Sequence, residues 1–209
     1  MERSATTIGS YDACADAYDS KYADFPLYAG ARNEFAELLT DGARILDLGC
    51  GPGTMSAFFH GLDRKFVLEG FDLSPRMVEL ASYKLPQGRF WTQDLRATFD
   101  LRGQYDALIA SFCIVHLNEV ETAEFLRRLH SLCTQGAHLY LSWVDGKGAG
   151  FETTSFGGDQ QFWYCRHDGR NLRSQLEELN WAVLRDFRVD YRNSDGTVDQ
   201  EGFIFAQCG

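Results

Sequence analysis

With 209 residues, 44% of them hydrophobic and 24% charged, the chain is long enough for one well-buried domain and short for two. A formal net charge of −10, with no run of three basic residues, argues against a nucleic-acid surface, which needs clustered Lys and Arg. No window approaches the roughly 20 apolar residues of a membrane span, and the opening residues lead into no apolar run, so neither a membrane segment nor a targeting leader is expected.

The elements alternate along the chain. Near the start, Tyr11, Tyr18 and Tyr22 recur at i, i+7 and i+11, a spacing that puts all three on one helix face. Residues 43–48 form a first buried strand that runs into a glycine cluster, and 53–60 have helical character. Residues 65–71 make a second strand. Ser74 then caps a helix that has Pro75 in its first position and continues to Tyr83. Residues 89–92 and 105–111 give a third and a fourth strand. A helix over 118–133, closed by Gly136, precedes a fifth strand over 137–144. Residues 146–160 carry five glycines and read as a flexible excursion before the segment 161–166. A helix over 170–179 is followed by extended runs at 181–191 and 202–207. With Asn193, Ser194, Asp195 and Gly196 as the turn, these runs form an antiparallel hairpin at the sheet edge. Strands alternating with helices predict an α/β fold, a parallel sheet covered on both faces.

Chemistry concentrates where the first strand meets the glycines. Gly49 and Gly51 let the backbone turn sharply and admit a ligand at close range, and Gly53 opens the next helix. A dinucleotide fingerprint would place a third glycine at position 54, which is Thr54, and the Gly-Lys-Ser/Thr end of a phosphate-binding loop is absent. Asp47, just before the turn, suits a ligand bearing an ammonium group and would repel a pyrophosphate. Asp72, at the end of the second strand and 19 residues beyond Gly53, can accept from both hydroxyls of a ribose. Asp94 follows the third strand and can accept from the exocyclic amine of an adenine, with Leu73 and Leu95 as apolar walls for the ring. The ordinary alternative is three loop aspartates capping helices. The six cysteines are scattered without a C-x-x-C pair; they read as buried apolar side chains in a reduced, cytoplasmic protein, and no metal site is expected.

Taken together, residues 45–54, 70–77 and 93–95 resemble the first three motifs of the class I S-adenosylmethionine-dependent methyltransferases, in particular the small-molecule branch. The resemblance implies a Rossmann-like, three-layer, doubly wound fold: a mostly parallel seven-stranded sheet with the last strand antiparallel. It further implies one domain over 1–209, with a helical lid at 1–40, a cofactor-binding core at 41–145, a substrate-covering flap at 146–168 and a C-terminal helix and hairpin at 169–209. By position, Gly49 and the Asp47 region would hold the methionine part of S-adenosylmethionine, Asp72 the ribose and Asp94 the adenine, with Ser111 and Phe112 lining the path to the sulfonium. Tyr11 and Tyr18 would cover the cofactor. Arg32 is a candidate for its carboxylate, the alternative being a solvated arginine.

The position that reads Asn/Asp-Pro-Pro-Tyr/Phe in methyltransferases of base or glutamine amino groups reads Ser111-Phe112-Cys113-Ile114 here, which disfavours those substrates. His116, just past the fourth strand, is the candidate general base, and His167 a second. Tyr22, His116, Trp163 and Tyr164 are candidates for contact with a small-molecule acceptor. Two other readings stay open: an NAD-dependent oxidoreductase, which lacks its third glycine and a Tyr-x-x-x-Lys pair here, and a non-catalytic cofactor-binding or scaffold protein.

Overall fold

In the computed structural model, which describes residues 2–98, 101, 104–193 and 195–209, the short apolar runs become strands β1 (Arg44–Leu48), β2 (Val67–Asp72), β3 (Arg89–Thr92), β4 (Tyr105–Ser111) and β5 (Cys133–Val144). A small hairpin follows, β6 (Ala149–Glu152) and β7 (Phe162–Cys165), and the chain ends in β8 (Trp181–Arg192) and β9 (Val198–Cys208). The helices are α1 (Glu2–Tyr22), α2 (Ala29–Glu37), α3 (Thr54–Gly61), α4 (Pro75–Lys84), α5 (Glu119–Leu129) and α6 (Gly169–Glu178).

The main sheet runs β3-β2-β1-β4-β5-β9-β8. The first five strands pair in parallel, and β9 lies antiparallel between β5 and β8. Ile45, Leu46 and Leu48 of β1 are fully buried, because helices cover both faces of a parallel sheet and its central strands cannot alternate polar and apolar. One core, with Leu46, Leu108 and Leu139, packs under α5 and α6 through Phe125, Leu126, Leu172 and Leu176. The other lies under α2 and α3, where Phe35 and Phe59 meet Tyr140, Phe203 and Phe205. The chain crosses from one side of β1 to the other between β3 and β4, so a crevice opens beyond the carboxyl ends of β1 and β4.

Several boundaries differ from expectation, each for a local reason. The second strand starts two residues late, because Lys65 takes a left-handed φ of 57° in the preceding turn. The helix after β4 ends at Leu129, and a 3-10 turn over His130–Leu132 leads directly into β5. Gly136 is therefore not a helix stop. It sits inside β5 at φ 79°, where the pairing with β4 slips from Tyr105↔Cys133 to Ala107↔His138, a bulge that a glycine accommodates. The glycine-rich excursion is not all loop, since β6 within it pairs antiparallel with β7. Ser194 of the expected turn lies outside the described residues. Among the described residues no helix is long and apolar enough to cross a membrane, and each of the six cysteines is a buried free thiol.

Candidate active site

The glycine loop is shaped by contacts that no side chain would permit. Gly49 stands at φ 70°, and a Cβ there would lie 2.6 Å from Cys113 Cβ, so the loop presses directly on the segment leaving β4. Gly53 stands at φ 78° and packs against Ala81 of α4, where a Cβ would approach to 3.1 Å. Asp72 ties the loop to the end of β2: one carboxylate oxygen accepts from the Gly51 N–H and the other from the Ser74 N–H, both at 2.9 Å. Asp47 is 1% exposed and accepts the Ser56 hydroxyl at 2.8 Å. Burial pushes its carboxyl up to about 7, and burial also raises that of Asp72. Among the described residues, no lysine or arginine forms an ion pair with either carboxylate.

Two connected cavities meet at Gly49, Gly51, Ser111 and Phe112, beneath Tyr11 and Tyr18. The narrower is a crevice of about 850 Å³ including its mouth, lined by Asp72, Leu73, Met77, Asp94, Leu95 and His116. Arg3, Ser4, Thr7 and Ile8 of α1 roof it, and Trp163 closes one end. Asp94 is not a free acceptor: the Arg96 guanidinium grips both of its oxygens, and Arg96 reaches on to Ser4 and Glu121. Burial alone would raise the Asp94 carboxyl, but Arg96 outweighs it and holds the group below the ordinary carboxylate value. The wider, open cleft begins at Asp47 and is walled by Tyr22, Tyr28, Tyr140, Phe156, Tyr164 and Tyr191. Of the residues expected to meet an acceptor, Tyr22 and Tyr164 face this cleft, whereas His116 and Trp163 face the crevice.

His116 is saturated with hydrogen bonds. Its Nδ1 lies 2.9 Å from the Trp163 carbonyl and must carry the proton, so Nε2 accepts from the Tyr11 hydroxyl at 3.0 Å. Burial pulls its pKa down to about 4, keeping the ring neutral. Phe112, between β4 and His116, holds a left-handed φ of 53°, with its N–H bound to the Ser142 hydroxyl and carbonyl. That is strained backbone at the junction of the cavities. His167 reaches neither cavity; its Nε2 donates to the Ile114 carbonyl at 2.9 Å.

The tyrosines of α1 do share a face, and they close on Phe156 in the connection between β6 and β7. Phe156 has ring centroids 6.3, 5.0 and 5.8 Å from those of Tyr11, Tyr18 and Tyr22. On an adjacent face Asp12 accepts from the Ser74 hydroxyl, Asp16 pairs with Arg76 and Asp19 with Lys84, so α1 is docked onto α4 as well. Arg32 is not solvated. It is 8% exposed, donates to the Phe25 carbonyl, and leaves a buried Nε with no hydrogen-bond partner beside the cleft.

Sequence reasoning missed Arg96, the α1–α4 ion pairs and the Tyr28–Glu201 pair. The i, i+4, i+7 spacing of Asp12, Asp16 and Asp19 was a readable signal for the second; nothing local marks the third.

Residues 19–186 match the family described as Methyltransferase domain, and the chain belongs to that family. YqeM of Bacillus subtilis is 31% identical over 115 residues, 54% of this chain and 44% of that protein. The ubiquinone biosynthesis O-methyltransferase of Xanthomonas axonopodis pv. citri is 28% identical over 137 residues, 63% of this chain and 54% of that one. The chain thus spans about half the length of the curated relatives it matches. Among solved structures, the 1,6-didemethyltoxoflavin-N1-methyltransferase of Burkholderia thailandensis, with its substrate and S-adenosylhomocysteine bound, superposes with a TM-score of 0.75. It is 18% identical and covers 99% of this chain and 89% of its own. The fold is the Rossmann-like methyltransferase fold, with the strand order and antiparallel β9 described above.

Proposed function

We propose that the chain is an S-adenosylmethionine-dependent methyltransferase acting on a small molecule. The observation that carries this reading is the pair of carboxylates at the ends of β1 and β2, Asp47 buried and Asp72 half-buried on the crevice wall, neither of them in an ion pair with a cation among the described residues. Such groups are costly unless a ligand completes them. The residues present fit this cofactor. Asp47 suits its ammonium, and the unpartnered Arg32 Nε its carboxylate. Asp72 keeps lone pairs for a ribose diol beyond the two N–H groups it already accepts. Leu73, Met77 and Leu95 offer apolar walls to the adenine, while Asp94, both of whose oxygens Arg96 holds, stands in the crevice wall and would have to share that grip to take the adenine amine. Tyr11 and Tyr18 cover the junction, with α1 as lid.

When bound, the cofactor supplies a methyl group on a sulfonium, and its transfer is an in-line displacement. The work left to the chain is alignment and exclusion of water. Tyr11, Tyr18 and Phe156 exclude water over the junction, and the strained Phe112 turn sets the wall beside Ser111. We assign His116 to holding Tyr11 in place rather than to proton abstraction, because its one lone pair is already taken by the Tyr11 hydroxyl and it opens on the crevice, not the cleft. The buried free thiols suit a reducing compartment such as the cytoplasm.

An NAD-dependent oxidoreductase is disfavoured by the strand order, since β9 enters antiparallel where a dinucleotide fold continues parallel. Release of S-adenosylhomocysteine from a panel of small phenols, amines and thiols tests turnover. Binding of S-adenosylhomocysteine without any turnover would leave the scaffold reading standing.

A further inference from the structure

The open cleft contains a buried acid that the cofactor reading leaves unused. Glu201 of β9 pairs in register with Val144 at the carboxyl end of β5 and with Val189 of β8. Its side chain points to the cleft and is only 6% exposed. Oε1 accepts the Tyr28 hydroxyl at 3.0 Å, while Oε2 is buried with no hydrogen-bond partner. Tyr28 packs on Phe112 with ring centroids 5.2 Å apart, which places the acid's partner beside the strained turn that ends the cofactor junction.

A buried carboxylate oxygen without a donor is expensive, and proteins keep such groups where a ligand satisfies them. The protein cations nearby do not do so. Arg166 is committed to Glu152, Lys21 to Ser155 and Tyr191, and Arg32 forms no ion pair with Glu201 among the described residues. Burial, with Asp199 adding to it, pushes the Glu201 carboxyl up to about 7 against the opposing pull of Tyr28 and Lys21. A donor arriving at Oε2 would reverse that shift.

Resting on the methyltransferase reading above, we propose that Glu201, steadied by Tyr28, is the specificity-determining anchor for the methyl acceptor, and that the acceptor is an aromatic or heteroaromatic molecule presenting an N–H donor to Oε2. The aromatic character follows from the cleft walls, where Tyr22, Phe156, Tyr164 and Tyr191 supply flat faces. The N–H follows from the acid and from the charge around it. With Arg32 and Asp47 engaged by the cofactor, the cleft retains Glu152, Asp195, Asp199 and Glu201 against Lys21 and Arg166. A carboxylate-bearing acceptor would be repelled.

The test uses the intact chain, with and without saturating S-adenosylhomocysteine, titrated with benzylamine, benzyl alcohol and benzoate by calorimetry or ligand-observed NMR. The expected result is benzylamine binding about tenfold or more tighter than benzoate. Glu201→Gln, which keeps an acceptor for Tyr28 but removes the charge, should erase that preference and leave S-adenosylhomocysteine affinity within about threefold of wild type. Benzoate binding as well as benzylamine in the wild-type chain would overturn the proposal without any variant. So would an unchanged benzylamine affinity in a folded Glu201→Gln protein. Failure to bind S-adenosylhomocysteine would instead sink the cofactor reading, while the benzylamine affinities of the free wild-type and Glu201→Gln proteins, which share Asp47 and Arg32, would still decide the anchor.

Discussion

At Gly49 the backbone stands in the left-handed region and a methyl group would press on Cys113. Gly49→Ala should therefore destabilise the fold by about 1–2 kcal/mol from the backbone alone, and it should move the turn that receives the ligand. Thermal unfolding checks the first effect and S-adenosylhomocysteine titration the second. Asp47 makes a prediction about pH. Its carboxyl sits at about 7 when folded against an ordinary 3.8, so between those values the native state holds a proton that the unfolded chain has lost. The contribution of Asp47 to the unliganded fold thus declines as pH rises through that window. An ammonium ligand needs the ionised form. Cofactor affinity should rise as pH climbs towards and past about 7, with proton release on binding below it, and Asp47→Asn should flatten both in calorimetry. Asp47, Asp72 and the glycines were legible in the sequence because each acts through neighbours a few residues away, at a strand end. Glu201 was not, because its burial depends on β9 lying between β5 and β8; Arg32 was a candidate in the sequence, but only α2 folding over Phe58 separates it from a solvated arginine.

At the scale of elements, α1 is held from two sides. Its acids grip α4, its tyrosines clasp Phe156, and Thr7 and Ser10 bind the Trp163 N–H and the Gln161 carbonyl. On the function proposed above, α1 roofs the crevice that takes the nucleoside, so loosening it should ease ligand exchange. Asp16→Asn should cost about 1 kcal/mol or less because the Arg76 pair is well exposed, and Asp19→Asn somewhat more because the Lys84 pair is largely covered. The double variant should speed amide exchange over residues 2–22 and quicken S-adenosylhomocysteine release, read by hydrogen exchange and stopped-flow fluorescence. Phe156→Ala should have a larger effect on release, since three rings lose their common partner. The starts of the helices were readable: Pro75 after Ser74 is a local signal, and Ser74 does accept the Met77 N–H. The end of α5 was not. Gly136 has the composition of a helix stop, and only its pairing with β4 shows it to be a bulge.

For the whole molecule, alternation of strand and helix foretold five parallel strands and an antiparallel hairpin, because each depends on a pattern repeated within ten or so residues. It could not foretell the β6–β7 pair, which closes over the nine residues 153–161, two of them glycine, and forms a separate two-stranded sheet. The sheet positions three acids, Asp47, Asp72 and Asp94, at three successive strand ends, and on the function proposed above they seat a nucleoside bearing an ammonium group rather than a dinucleotide. Calorimetric titration of the purified chain with S-adenosylhomocysteine and, in parallel, with NAD tests this most directly. One S-adenosylhomocysteine should bind per chain, Asp72→Ala should weaken it by about tenfold or more, and NAD should give no binding heat. Saturation with NAD, or silence towards S-adenosylhomocysteine up to about 1 mM, would contradict the account.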